Sequence, residues 1–161
     1  MESSQHDYDI FIEKYKQYGN MLYRLSMVYL YNHMDCEDVL QDAFIKLLYN
    51  SPEFNNEEHE RRWLLRVCIN CCKDKIKDKW RKNKLPLDEN IYFTKVAEDY
   101  HLPETIMGLP NKIKAPLHLY YYEGYSVKEI SEILGISNSA VKMRLKRGRE
   151  RLKLELEDNG Y

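Results

Sequence analysis

The residues with the most chemical content lie between Gly124 and Leu152, GYSVKEISEILGISNSAVKMRLKRGRERL, where Lys142, Arg144, Lys146, Arg147, Arg149 and Arg151 crowd one short segment. Cations at this density bind polyanions, and arginine adds a planar fork that matches guanine O6 and N7. The spacing decides which of them can do so. Val127, Ile130, Ile133 and Leu134 keep helical period, Gly135 interrupts, and Ser137 is placed to cap a second helix containing Val141, Leu145 and Leu152. Glycine suits such a reversal because it adopts positive φ without a Cβ clash. If Val141 faces the core, then at about 100° per residue Leu145, Gly148 and Leu152 lie on its side. Ser139, Met143, Lys146, Arg147 and Glu150 then face outward. Two short helices, a tight turn and a basic outer face on the second predict a helix-turn-helix with its recognition helix in a DNA major groove. The bland alternative is a basic solvated or membrane-surface helix, which needs neither the preceding apolar helix nor the glycine turn and serine cap.

A second set stands upstream. Arg61, Arg62, Trp63, Arg66 and Lys73 open a long basic stretch, with Phe54 in the polar segment before it. Cations interleaved with aromatic rings suit single-stranded nucleic acid, where charge follows the backbone and rings stack on exposed bases. Trp63 reads equally as a core residue, and Asn70 as a base-edge contact or a local hydrogen-bonding group. Trp80 is either partly exposed or a seal on the domain edge.

The 161 residues carry a net charge of only −1, but the charge is segregated. Residues 1 to 60 are acidic, 61 to 84 basic, the middle acidic again and the last helix basic. Two basic segments separated by acidic ones predict two contacts with a polyanion and an acidic surface for another partner. No apolar run reaches the roughly 18 residues of a membrane span, and MESSQHDYD is too acidic for a signal peptide, so no membrane insertion and a cytoplasmic location are expected. Cys68, Cys71 and Cys72 stand at i, i+3 and i+4 of a helical pattern, and Cys36 apart from them. They read as a redox switch or as small apolar core residues. Without zinc-finger spacing no metal or cofactor is expected. No nucleophile–base pair or glycine-rich phosphate loop appears either, so neither an enzyme nor a small-molecule substrate is expected.

The elements that must hold these residues are helices throughout, giving an all-α fold. One is expected from Tyr8 to Tyr31, with Gly19 a break or a close contact. A second starts at Asp35, whose acids favour the helix N-terminus, and stops near Ser51-Pro52. A third runs from about Glu60 to Lys82. The predicted organisation is a helical domain over 1–84, a linker over 85–102 and a second small domain over 103–161 that holds the helix-turn-helix.

Three blocks in this order resemble the sigma factors of bacterial RNA polymerase, in particular the small extracytoplasmic-function, or group-four, class. Asp35-Cys-Glu-Asp38-Val-Leu-Gln41-Asp42-Ala-Phe44-Ile-Lys46 resembles the family's polymerase-binding helix. Trp63-Leu-Leu-Arg66-Val-Cys-Ile-Asn70, with its basic tail, resembles the segment that melts and reads the minus-ten element. Leu109-Pro110 through Leu152 resembles the domain that reads the minus-thirty-five element. The resemblance implies two partners, core RNA polymerase and promoter DNA, and admits a third, an anti-sigma protein. It implies polymerase contacts at Asp35, Asp38, Gln41, Asp42 and Phe44, on the acidic helix. It places minus-ten contacts at Phe54, Arg61, Arg62, Trp63, Arg66, Asn70 and Lys73. Minus-thirty-five contacts fall at Ser139, Lys142, Met143, Lys146, Arg147, Arg149 and Arg151.

The chain departs from the family pattern at Met143, where a small polar residue is usual, and in the acidity of the loop from Phe54 to Arg62. It departs also at Ala115-Pro116, where an uninterrupted helix is usual and a later start or a kink is therefore expected. The rival function is a stand-alone helix-turn-helix regulator that does not bind polymerase. The acidic helix and the second basic-aromatic segment, surplus to such a regulator, favour the sigma reading.

Overall fold

Apolar residues at helical spacing draw three long helices into one layer around a shared core: α1 (Glu2–Leu30), α2 (His33–Tyr49) and α3 (Glu57–Asn83). Leu22 and Leu25 of α1, Val39, Leu40 and Ala43 of α2, and Leu64, Leu65 and Ile69 of α3 are all buried. Phe44 belongs to the same core, its ring 5.7 Å from that of Phe11 and 5.4 Å from that of Tyr15. This is a computed structural model, and it describes residues 2–83 and 104–158; the expected linker lies outside the described residues. Among the described residues every regular element is helical, as the sequence predicts.

Local signals set the helix ends. The Asn32 side chain caps α2 by accepting from the Asp35 backbone N–H at 3.0 Å. α1 starts earlier than expected and runs through Gly19 unbroken. A Cβ at Gly19 would sit in ordinary contact, 3.5 Å from the Tyr15 ring, so this glycine marks neither a break nor a close approach. α3 starts at Glu57 rather than Glu60, with Asn56 accepting from the His59 N–H at 2.8 Å.

The second group contains α4 (Glu104–Met107), α5 (Asn111–Leu117), α6 (Val127–Leu134) and α7 (Asn138–Asp158). Pro116 lies inside α5, and the chain then passes directly into a π-helical turn over His118–Tyr122. Proline has no N–H to donate and its ring crowds the carbonyl four residues back, so a regular α-helix cannot continue tightly through it. The wider turn is the form this disturbance takes, with Glu123 N–H reaching the His118 carbonyl at 3.1 Å.

The helix-turn-helix then follows with both its ends capped. Ser126 and Glu129 form a reciprocal capping box at the start of α6, at 3.1 and 3.2 Å. Gly135 ends α6 in the left-handed region, φ 67°, and the Ser137 hydroxyl accepts from the Ala140 N–H at 3.1 Å to start α7. α7 lies so close to α5 that a Cβ at Gly148 would come within 2.7 Å of Leu117 Cδ1 and 3.0 Å of Ile113 Cγ2. Gly148→Ala should therefore destabilise this group by about 1–2 kcal/mol through overpacking, despite alanine's better helix propensity. A urea denaturation curve measures it, and an unchanged or raised midpoint would refute the close packing.

The two groups meet along a seam. Arg24 of α1 donates to both carboxylate oxygens of Glu123, at 3.0 and 3.3 Å, and its guanidinium lies 5.5 Å from the Tyr122 ring centroid. Burial pushes the Glu123 carboxyl up, but bonds from His118 and Arg24 outweigh it and hold the pKa below its usual value. The Tyr31 hydroxyl donates to Met107 Sδ at 3.0 Å, and Asn111 Nδ2 donates to the Tyr29 carbonyl at 3.4 Å. Arg62 of α3 pairs with Glu132 of α6 at 3.3 Å.

Candidate nucleic-acid and polymerase interfaces

The surface that α7 presents depends on what its core-facing side fixes. Val141, Leu145 and Gly148 are buried and Leu152 is half-buried, so the helix cannot rotate. Ser139, Lys142, Met143, Lys146, Arg147, Arg149 and Arg151 are all exposed, with Ser139, Met143, Lys146 and Arg147 on the opposite side and Lys142, Arg149 and Arg151 on the flanks. Arg147 and Lys146 have no ion-pair partner among the described residues, which leaves both side chains available to a ligand. Arg149 differs, because its guanidinium donates to the Tyr121 hydroxyl at 3.2 Å and is steered toward the side of the helix.

The basic-aromatic set lies on α3 and the turn before it. Trp63, Arg66, Asn70 and Lys73 recur at intervals of three and four residues and so share one stripe. Arg66, Asn70 and Lys73 are exposed, Asn70 standing between the buried Ile69 and Cys71. Trp63 is half-buried and rests on the core, with Phe54 edge-on at 5.4 Å and His59 edge-on to Phe54 at 5.3 Å. Core packing and a surface ring are therefore both true of this tryptophan. Arg61 and Arg62 are already engaged: Arg61 pairs with Glu58 and lies 5.9 Å from the Tyr125 ring, while Arg62 pairs with Glu132. Lys77 continues the same stripe and is exposed. The spacing 63, 66, 70, 73, 77 was the signal for it.

On α2 the exposed face carries Asp38, Gln41 and Asp42. Two residues expected on it do not reach it. Phe44 is 1% exposed and fills the core, and Asp35 is 6% exposed, its carboxylate paired with Lys79. Both follow from helix geometry: Asp35, Val39 and Leu40 share the side that meets α3, and Phe44 follows one turn after Leu40. Asp38 is also bridged to α3, accepting from Lys75 at 2.9 Å, and this bond raises the Lys75 pKa. Met34, Ile45 and Tyr49 are exposed apolar residues on the same stripe as Asp38, Gln41 and Asp42. Sequence reasoning passed over them, although large apolar residues breaking a polar face at helical spacing are a recognisable sign of a contact surface.

Residues 15–82 match the family model for sigma-70 region 2, and residues 102–152 that for sigma-70 region 4. The extracytoplasmic-function RNA polymerase sigma factor SigW of Bacillus subtilis is 31% identical, over 94% of this chain and 91% of its own length. The chain belongs to the extracytoplasmic-function sigma factors of the sigma-70 family. Its fold is that of solved members. The sigma factor RpoE of Bartonella quintana, in complex with the anti-sigma factor NepR, superposes with a TM-score of 0.71 at 19% identity, covering 91% of this chain and 96% of RpoE. CnrH, in complex with the cytosolic domain of CnrY, gives 0.67 at 21%, covering 93% and 89%.

Within this sigma factor α7 falls in region 4, and the acidic α2 and the basic-aromatic α3 in region 2. The four cysteines are free and buried. Burial pushes the Cys36 thiol up to about 12 and Cys72 well above its ordinary value. Burial raises Cys71 as well, and thiols held protonated and out of water are poor nucleophiles. Cys68 is shifted the other way, lowered by a hydrogen bond with the Cys72 thiol, and it too is fully buried. No helix among the described residues is long and apolar enough to cross a membrane.

Proposed function

We propose that this sigma factor docks on core RNA polymerase through the exposed face of α2, and directs it to promoters by reading the minus-ten element with α3 and the minus-thirty-five element with α7. The observation that carries this reading is the division of exposed charge between surfaces. An acidic face with apolar residues at its edge, on α2, and two basic faces on separate helices suit one protein partner and two stretches of nucleic acid. Single-stranded DNA at the minus-ten element would meet the Phe54–Trp63 ring pair and the Arg66–Asn70–Lys73 stripe. The upstream duplex would meet Lys142, Met143, Lys146 and Arg147 through its major groove, with Met143 offering apolar contact to a thymine methyl. Catalysis stays with the polymerase, in the cytoplasm.

The two elements lie about 25 base pairs apart, or roughly 85 Å at 3.4 Å each. A packed unit of this length is roughly 40 Å across. The seam must therefore open before both elements can be read at once, which also releases Arg62 from Glu132. Solved relatives of the same fold are complexes with anti-sigma factors, which supports a restraining protein partner for this chain as well.

The test is run-off transcription from a genomic fragment library with added core polymerase, alongside pull-down of the core enzyme. Reversing the α2 charges, Asp38→Lys with Asp42→Lys, should weaken core binding at least tenfold, about 1.4 kcal/mol, and leave helix content unchanged. Undiminished binding by the folded double variant would remove the docking assignment.

A further inference from the structure

The seam between the two groups holds an open-mouthed cavity of about 230 Å3 whose walls come from both. Ile76, Leu134 and Ile136 make much of it apolar, and Tyr29 and Asn111, which are hydrogen-bonded across the seam, form part of the wall. Four cations surround it: Lys73 and Lys77 from α3, Lys112 from α5 and Arg144 from α7. None of the four has an ion-pair partner among the described residues. An apolar recess walled by both groups, with unpaired cations at its edge, is not a finished core, because its apolar surface stays wet and its charges idle without a ligand.

We propose that this cavity is a binding site for a small aromatic anion, a carboxylate or a phosphate ester. The apolar body would lie on Ile76, Leu134 and Ile136, and its charged group would meet Lys73, Lys77, Lys112 and Arg144. The volume is below the roughly 300–1,000 Å3 typical of drug-sized ligands, so the body is of the order of one small ring system. Four cations along one rim favour a doubly charged phosphate monoester over a carboxylate.

Because both groups build the walls, the ligand binds the closed seam and not the separated halves. A ligand with that preference shifts the population toward the closed form, and by linkage whatever opens the seam expels it. The closed seam also holds Arg62 on Glu132 and Arg61 against Tyr125, and the ligand itself engages Lys73. Occupation thus opposes promoter engagement, a step that rests on the function proposed above, whereas the site itself does not.

The experiment uses the full chain and four probes: 1-naphthyl phosphate, 1-naphthoate, inorganic phosphate and 1-naphthylmethanol. Calorimetric titration, with methyl NMR on Ile76, Leu134 and Ile136, should show the phosphate ester binding most tightly and 1-naphthoate more weakly. Inorganic phosphate and the neutral alcohol should each bind at least tenfold more weakly than the ester. Lys77→Glu and Arg144→Glu should each cost about tenfold, and Ile136→Trp, which fills the recess from its edge, should abolish binding. Circular dichroism checks that each variant is folded. Arg24→Glu breaks the seam away from the cavity and should also weaken binding.

Failure of both aromatic anions to bind overturns the site, as does binding that survives Lys77→Glu, Arg144→Glu and Ile136→Trp alike. Affinity untouched by Arg24→Glu overturns the dependence on the closed seam. Saturating ligand should reduce promoter binding by the reconstituted polymerase complex. If it does not, the regulatory step fails while the binding site stands. A chain that proves unable to engage polymerase would still be decided on the ligand by the titration alone.

Discussion

Val141→Asp should destabilise the α5–α7 group by about 3–5 kcal/mol, enough to unfold a marginal helix-turn-helix. Val141 is 0% exposed and sits where α7 meets the core, with Leu145 one turn on and Gly148 pressed against Ile113 and Leu117. A carboxylate there is cut off from water, so the new group is either ionised at a desolvation cost or forced to stay protonated. The second outcome gives the loss a sign in pH. A buried Asp has its folded pKa raised above the unfolded value of about 3.9. Its penalty is then smallest below that value and grows as the pH rises through it. Urea midpoints of the variant should approach those of the parent chain as the pH falls toward about 4, and separate from them at pH 7. A variant with the parent midpoint at neutral pH would mean that Val141 is not in the core, and the orientation of α7 would be lost with it.

Much of this orientation is legible in the sequence, because it depends on one period and two caps. Val141, Leu145, Gly148 and Leu152 share a side at helical spacing, and Gly135 and Ser137 supply the turn and the start. Those signals are local, and local physics decides them. Phe44 and Asp35 are different, because a polar-looking helix does not say which of its residues meet a neighbour until the neighbour is placed. With α3 beside it, Asp35 finds Lys79, and Phe44 finds Phe11 and Tyr15 from α1.

Contacts between distant parts of the chain are less legible still. Arg24 with Glu123, Asn111 with Tyr29 and Arg62 with Glu132 join residues far apart in sequence, and no spacing rule links them. The cavity at the seam is invisible from sequence for the same reason, since its cations look like parts of three unrelated basic runs. Pro116 lies between these cases. Its disturbance of the helix is predictable from proline chemistry, but whether the chain stops, kinks or widens depends on what packs around it. Here His118 and Leu119 are buried immediately afterwards, and the chain continues as a π-helical turn.

Arg147→Ala should relax specificity at a single position of the upstream promoter element and cost about 1–3 kcal/mol there. Arg147 is exposed on α7, one turn beyond Met143, and has no ion-pair partner among the described residues. Its guanidinium is long enough to reach a base edge and planar enough to bond guanine O6 and N7 together. Lys146→Ala should act at a neighbouring position with a smaller effect, because an ammonium lacks the planar fork. Arg149 and Arg151 serve as the contrast. Arg149 is drawn sideways by Tyr121, a geometry suited to the backbone, so neutralising either residue should lower affinity on all sequences and flatten the salt slope by about one unit. Selection of promoters from a library randomised in the upstream element separates the two behaviours. The parent chain and Arg149→Ala should recover one consensus at different affinities, whereas Arg147→Ala should recover that consensus with one position degenerate. If Arg147→Ala returns the parental consensus at full stringency, the base-reading face of α7 has been placed wrongly, and the assignment of Met143 and Lys146 fails with it.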